Sequence, residues 1–364
     1  MKNNQYCVIM AGGHLNRFWP ISREGMPGHF RDISGTGKSL VRMAYERCLG
    51  VVPEKNILII TLGKFKDIIN EQIPELPKEN LLLEPYARRT APCIAYATYT
   101  LLKRNPDAVM AATPADIIVN DEQLFKETMT HALDYAEKNP VLVTLGVKPD
   151  RPDTEYGYIQ AVGGKGACSS GDPVKVKTFT EKPDAEIADV FFRSGEFFWN
   201  SGIFVWQASV IKEEMERYIP EITRLFDGWE GALGSPAEEV FIERAYTDCI
   251  KLSIDYGVME KTDRAWVYPI QFGWSDIDSW ENYYSSIQRK DQDGNISNTQ
   301  MKILQNDKRN IILTKNKNKL LMIRGLEDCL VVDTDDVLLI CPRDDKQYKE
   351  LVNSTRMPGY DKYR

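Results

Sequence analysis

The first residues whose types and spacing suit chemistry lie in the run Ala11-Gly12-Gly13-His14-Leu15-Asn16-Arg17-Phe18-Trp19-Pro20-Ile21-Ser22-Arg23. Gly12 and Gly13 let the backbone approach a ligand closely, and Arg17 has the planar fork that clamps a phosphate with two hydrogen bonds. A tight strand-to-helix turn would use the same glycines, and the spacing does not complete a GxGxxG dinucleotide fingerprint. Gly35-Thr36-Gly37-Lys38-Ser39 looks like the end of a P-loop, but that motif needs Gly at position 32, where Asp32 stands. It is excluded. Seven cysteines, scattered from Cys7 to Cys341 without a CxxC pair, and three histidines give no zinc-ligand spacing and point to a reducing compartment.

These residues need elements to hold them. Short apolar runs at Tyr6–Ala11, Asn56–Thr61, Leu81–Glu84, Ala108–Ala112 and Pro140–Val147 read as buried strands. Helical patterns at Ser39–Leu49, Ala91–Lys103 and Glu122–Glu137 alternate with them. Continuous apolar strands separated by helices predict a parallel sheet covered on both faces, with ligands beyond the carboxyl ends of its strands. The region from about 150 to 285 is mixed, with a β-run at Val174–Phe179, a helix from Asp184 and a strand at Gly202–Trp206. Asp, Asn and Gly cluster as a linker at Lys290–Asn298, and short β-runs follow at Ile311–Leu313, Leu320–Ile323, Leu330–Val332 and Val337–Ile340. A last helix is expected at Lys346–Asn353.

Composition narrows the class. The 364 residues are 43% hydrophobic and 27% charged, which excludes disordered and disulfide-scaffold proteins. Lys and Arg number 46 against 53 Asp and Glu, for a net charge of −7, so no basic footprint for nucleic acid or an anionic membrane is expected. No apolar stretch is long enough to span a bilayer and no signal peptide is recognised, so a soluble, cytoplasmic protein is expected.

Taken in order, the motifs resemble the mannose-1-phosphate guanylyltransferase branch of the sugar-nucleotide pyrophosphorylases. The resemblance rests on the loop from Ala11 through Ser22-Arg23, Pro27 and Phe30, on Glu84-Pro85…Arg88…Thr90-Ala91-Pro92, and on Tyr156-Gly157-Tyr158-Ile159. It continues through Phe179-Thr180-Glu181-Lys182-Pro183, Trp199-Asn200-Ser201-Gly202, Ser253-Ile254-Asp255-Tyr256 and Phe272-Gly273-Trp274-Ser275-Asp276. Gly325-Leu326-Glu327-Asp328 and Pro342-Arg343-Asp344 complete it near the carboxyl end.

The resemblance implies an α/β fold: a Rossmann-like nucleotidyltransferase domain of the glycosyltransferase-A type over residues 1–284, and a small β-rich C-terminal domain over 285–364. It implies the reaction GTP + α-D-mannose 1-phosphate → GDP-mannose + diphosphate, with Mg²⁺ held by Asp116 and Asp276. Arg17 and Lys182 would bind phosphates. Ala11, Gly12, Gly13, Glu84, Arg88 and Thr90 would bind the nucleotide, with Glu84 accepting from the guanine N1–H and N2–H₂. Gly157, Glu181 and Asn200 would bind the sugar, and Asp255 has no assigned role. A homodimer, or pairing with an active paralogue, is implied as well.

Departures from the family pattern cluster in the same loops. Leu15 and Asn16 replace Gly and Thr or Ser; Pro27-Gly28-His29-Phe30-Arg31 stands where Pro-Lys-Gln-Phe-Leu is usual, so Gly28 occupies the lysine position. Arg89 replaces Asn, Ala115 and Ile117 flank Asp116 in place of Ser and His, and Glu155 and Asp278 replace glycines. Two alternatives therefore stay open: a weak or inactive regulatory relative, and a transferase for another nucleotide or sugar phosphate. Arg31 or Lys38 would have to supply the missing cation.

Overall fold

The computed structural model describes residues 1–13, 17–164, 171–277 and 279–364, so Leu15, Asn16 and Asp278 lie outside the described residues. In chain order the strands are β1 (Gln5–Met10), β2 (Ile57–Leu62), β3 (Leu81–Glu84), β4 (Val109–Pro114), β5 (Ile117–Val119), β6 (Leu142–Val147), β7 (Tyr158–Ala161), β8 (Val174–Thr180) and β9 (Phe197–Gln207). They continue with β10 (Ala265–Ile270), β11 (Trp274–Asp276), β12 (Ile296–Ser297), β13 (Lys302–Gln305), β14 (Ile311–Thr314), β15 (Leu321–Arg324), β16 (Cys329–Asp333) and β17 (Leu338–Pro342).

The described residues form two compact units, the first from those within 1–13, 44–115 and 119–274, the second from those within 14–43, 116–118 and 275–364. Neither is one stretch of chain, unlike the division expected at 284/285. The reason is burial: Phe18, Ile33, Leu40 and Ile118 share one core with Trp280, Tyr283, Ile311 and Leu330.

The first unit carries a nine-stranded sheet in the order β3-β2-β1-β4-β9-β6-β10-β8-β7. β2 is buried along its whole length, as a strand covered on both faces must be. The helix Thr90–Arg104 is buried from Ala91 to Leu101, which its run of small residues permits. The helix Glu122–Lys138 starts at Asp121, whose carboxylate accepts the Leu124 amide at 2.9 Å, and buries Phe125, Met129, Ala132, Leu133 and Ala136 on one stripe.

The five strands read as parallel, β1, β2, β3, β4 and β6, do run in one direction, and the antiparallel member comes from the mixed region that follows them. β3, β2, β1 and β4 are parallel, as are β6 and β10, but β9 runs antiparallel between β4 and β6. Apolar runs report burial and not direction. The strand expected at Gly202–Trp206 also begins five residues earlier, at Phe197, because that half of β9 alternates buried and half-buried residues.

In the second unit β12-β14-β16-β17 form one sheet and β13-β15 another, with parallel pairing except between β16 and β17. Buried amides tie successive turns: Asn295 Oδ1 accepts the Asn310 amide at 3.0 Å, and Asn310 Oδ1 accepts that of Cys329 at 2.9 Å. The expected linker at Lys290–Asn298 is an ordered turn, in which Asp291 accepts the backbone amides of Asp293 and Asn295 at 3.0 and 2.7 Å. Asp and Asn mark turns as readily as linkers. Among the described residues no helix is long and apolar enough to cross a membrane.

Candidate active site

The expected site residues fall into two groups, one in each unit. In the first unit, Ala11 extends the β1–β2 ladder, donating its amide to the Ile60 carbonyl at 2.8 Å and accepting from the Thr61 hydroxyl at 2.7 Å. Gly12 follows, and a Cβ there would lie 2.6 Å from Glu84 Oε2, so any larger residue would displace that carboxylate. Gly13 has open space instead. Glu84, at the end of β3, is only 3% exposed and accepts the Tyr246 hydroxyl at 2.9 Å. Burial pushes its carboxyl up to about 7, against the pull of the Tyr246 hydrogen bond.

Arg88 donates to the carbonyls of Tyr246 and Thr247 at 3.0 and 3.1 Å, holding the carboxyl end of the helix Glu238–Thr247. Thr90 Oγ1 accepts the Ile254 amide at 2.9 Å, and Ala91 donates to the Leu252 carbonyl at 3.0 Å. These bonds lace the start of the helix Thr90–Arg104 to the segment that precedes Asp255. Arg89, between them, has φ +67° and ψ −167°, a region open almost only to glycine.

The group expected to bind the sugar is more tightly built. A register shift between Thr144 and Gly146 of β6 sets Asn200 of β9 opposite Gly146. Asn200 Oδ1 accepts the Thr144 hydroxyl at 3.0 Å and the Gly202 amide at 3.2 Å, and Nδ2 donates to Asp255 Oδ1 at 2.8 Å. Its backbone amide donates to the Gly157 carbonyl at 2.8 Å. A Cβ on Gly157 would collide with Glu181 Oε2, so the glycine admits the carboxylate. Glu181 Oε2 is buried with no hydrogen-bond partner among the described residues.

Burial, with Asp255 and Glu260 close by, pushes the Glu181 carboxyl well above the usual carboxylate range; Lys182 opposes this. Asp255 is also raised, first by burial, although the hydrogen bond from Asn200 favours its charged form. Lys182 itself is exposed, has φ +48°, and forms an ion pair with Glu155 at a long 3.7 Å. Three supporting residues escaped the sequence reading. Tyr246 holds Glu84, Thr144 holds Asn200, and Glu260 accepts the Glu181 amide at 2.9 Å. Each is far along the chain from its partner, and no spacing signals it. Asp255 stood in a recognised motif, and its bond to Asn200 now places it in this group.

In the second unit, β5 and β11 pair as a two-stranded sheet, and the Ile277 amide donates to the Asp116 carbonyl at 3.3 Å. The pairing brings Asp116 and Asp276 to one short ribbon, both half-buried. Arg17 is exposed, and its carbonyl accepts the Tyr348 hydroxyl at 3.0 Å. Phe18 is fully buried, edge-on to Trp280 with ring centroids 4.9 Å apart. Gly28 is buried in the 3₁₀ turn Gly28–Phe30. Arg31 lines a cavity of the second unit to which neither Asp116 nor Asp276 belongs.

A mixed α/β sheet with glycines and carboxylates beyond its strand ends is an arrangement that can take a nucleotide. Residues 6–293 match the nucleotidyl transferase family, and the chain belongs to it: it is an enzyme of the nucleotidyltransferase class. Mannose-1-phosphate guanylyltransferase of Escherichia coli (strain K12) is 34% identical over 372 residues, covering 99% of this chain and 75% of that protein. Alginate biosynthesis protein AlgA of Pseudomonas putida is 33% identical over 359 residues, covering 97% and 72%. A crystal structure described as mannose-1-phosphate geranyltransferase from Thermus thermophilus superposes with a TM-score of 0.84 at 28% identity, covering 97% of this chain and all of that one. The relationship implied by the motifs therefore holds along nearly the whole chain.

Proposed function

We propose that this enzyme forms GDP-mannose and diphosphate from GTP and α-D-mannose 1-phosphate. In that reaction a phosphate oxygen of the sugar phosphate attacks the α-phosphorus of GTP, and the bond to the leaving diphosphate breaks. Such a transfer depends on alignment and charge neutralisation more than on a protein base. The observation that carries the reading is the buried, unpartnered Glu181 Oε2 beside Asn200 and Gly157. A buried polar atom without a partner costs about 1–3 kcal/mol, and a sugar hydroxyl would supply that partner.

Lys182 would turn from Glu155 to the phosphate of the sugar phosphate, which a long, exposed ion pair permits. Arg17 would bind the triphosphate, while the Gly12 backbone offers close approach. The burial of Glu84 supports a place beneath Gly12, where it positions the loop, over direct contact with the base. Asp116 and Asp276 are two hard-oxygen ligands on one ribbon, a set that suits Mg²⁺ when water and phosphate oxygens complete it. Among the described residues no group of three or more His, Cys, Asp or Glu competes as a metal site. Bound there, the ion would supply neutralisation of phosphate charge.

The test is diphosphate release with every pairing of GTP, ATP, UTP, CTP and dTTP with mannose 1-phosphate and glucose 1-phosphate, with and without Mg²⁺. GTP with mannose 1-phosphate should be fastest and Mg²⁺-dependent. Faster release with another pair assigns a different substrate.

A further inference from the structure

The second unit holds a cavity of about 760 Å³ that Arg31 lines but that none of Arg17, Gly28, Asp116 and Asp276 lines. Six cations border it, Arg23, Arg31, Lys315, Lys317, Lys362 and Arg364, against four carboxylates. Those carboxylates are already engaged. Asp336 accepts from Arg23 at 2.9 Å, Asp335 pairs with Lys315, Asp333 pairs with Lys319 at 2.8 Å, and Asp32 accepts the Thr36 and Gly37 amides at 3.0 and 2.8 Å. Of the remaining cations, Arg364 pairs with Asp361 at 2.8 Å and Lys362 lies over the Tyr363 ring at 4.7 Å.

Arg31 and Lys317 are left without a carboxylate partner among the described residues. Arg31 Nε is buried and makes no hydrogen bond among them. Burial, with the Arg23 guanidinium nearby, disfavours the Arg31 charge. A half-buried guanidinium facing other cations is costly unless an anion answers it.

We propose that this cavity is a second anion site, which binds a small molecule carrying phosphoryl groups. A volume of about 760 Å³ is within the range of small-ligand pockets. The Arg31 guanidinium and the Lys317 ammonium, both without a carboxylate partner among the described residues, suit the several oxygens of a phosphoryl group better than a single carboxylate. Arg31 stands where the related motif carries leucine, so the site is a property of this chain rather than of that motif.

The experiment is calorimetric titration of the full chain with inorganic diphosphate and, separately, GDP, without divalent cation. The Arg31→Leu, Lys317→Met double variant should lose one binding site per chain, or weaken it about tenfold or more, while Arg31→Lys retains it. Lys317→Met alone, at an exposed side chain, should weaken it by about threefold and guards against misfolding of the double variant. Tighter GDP than diphosphate at this site identifies a nucleotide as the source of the anion; equal or weaker binding identifies a free phosphate. Wild-type titrations unchanged in the double and Lys317→Met variants, or a single site that Arg17→Gln abolishes, would overturn the proposal.

Discussion

The Asn200–Asp255 cluster of the first unit, to which we assign the sugar, and the loop of the second are organised in opposite ways. Asn200, Asp255, Thr144 and Gly157 already form a closed set of hydrogen bonds, beside which Glu181 Oε2 is buried with no partner among the described residues. The loop from Arg17 to Arg23 instead spends its groups on its own fold. Tyr348 donates to the carbonyls of Arg17 and Trp19, both at 3.0 Å. Arg23 spans the Pro20 and Tyr363 carbonyls and Asp336, at 2.8–2.9 Å. Gly28 fills the usual lysine position inside a buried turn. If these groups act as proposed, the residues for the sugar are preorganised, whereas glycine stands at the position where related motifs carry a lysine. A selective enzyme with slow chemistry is therefore expected.

The largest effect should come from the carboxylate pair. Asp116→Asn and Asp276→Asn should each lower kcat for diphosphate release by roughly 10²–10³-fold, the scale of losing one transition-state electrostatic contact. Thermal melting should stay within a few degrees, because both are half-buried on a short ribbon. A large fall in Tm with unchanged Mg²⁺ dependence would make them fold residues. Next, Asn200→Ala should raise KM for mannose 1-phosphate about 10–100-fold while KM for GTP moves little. Equal rises for both substrates would dissolve the distinction between the two groups.

Much of this contrast was legible in the sequence. The strands read at Leu81–Glu84 and Asn56–Thr61 and the helix read at Ala91–Lys103 fall within a residue of β3, β2 and the helix Thr90–Arg104, because apolar runs and small-residue helices follow from burial. The antiparallel course of β9 was not, since strand direction leaves no periodic trace. The site residues were readable only as motifs, and their partners Tyr246, Thr144 and Glu260 come from segments tens of residues away. Burial of Glu84 also eluded a strand-end position, which by itself looks solvated; Gly12 and Tyr246 close over it.

Glu84 gives a pH signature. Its carboxyl holds a proton up to about pH 7 when folded but releases it near the usual 4.5 when unfolded. The unfolded state thus binds fewer protons across that window, so unfolding free energy falls as pH rises from 4.5 to 7. The contribution is on the order of 3 kcal/mol, and Glu84→Gln should flatten the slope in denaturant melts. An unchanged slope would show that Glu84 ionises normally. As a loop-positioning residue it should also weaken GTP and ATP alike when changed to Gln; loss of GTP preference alone would return it to base recognition. The smallest effect is expected from Glu155→Ala, which removes the exposed partner of Lys182 and should lower KM for mannose 1-phosphate by about two- to threefold.

The most direct measurement compares kcat of the wild type and Gly28→Lys with GTP, mannose 1-phosphate and Mg²⁺, alongside their melting curves. A cation restored near the leaving phosphates should raise kcat by about tenfold or more with little change in KM for mannose 1-phosphate. Wild-type turnover already at ordinary enzyme rates, with a folded Gly28→Lys variant no faster, would contradict the account.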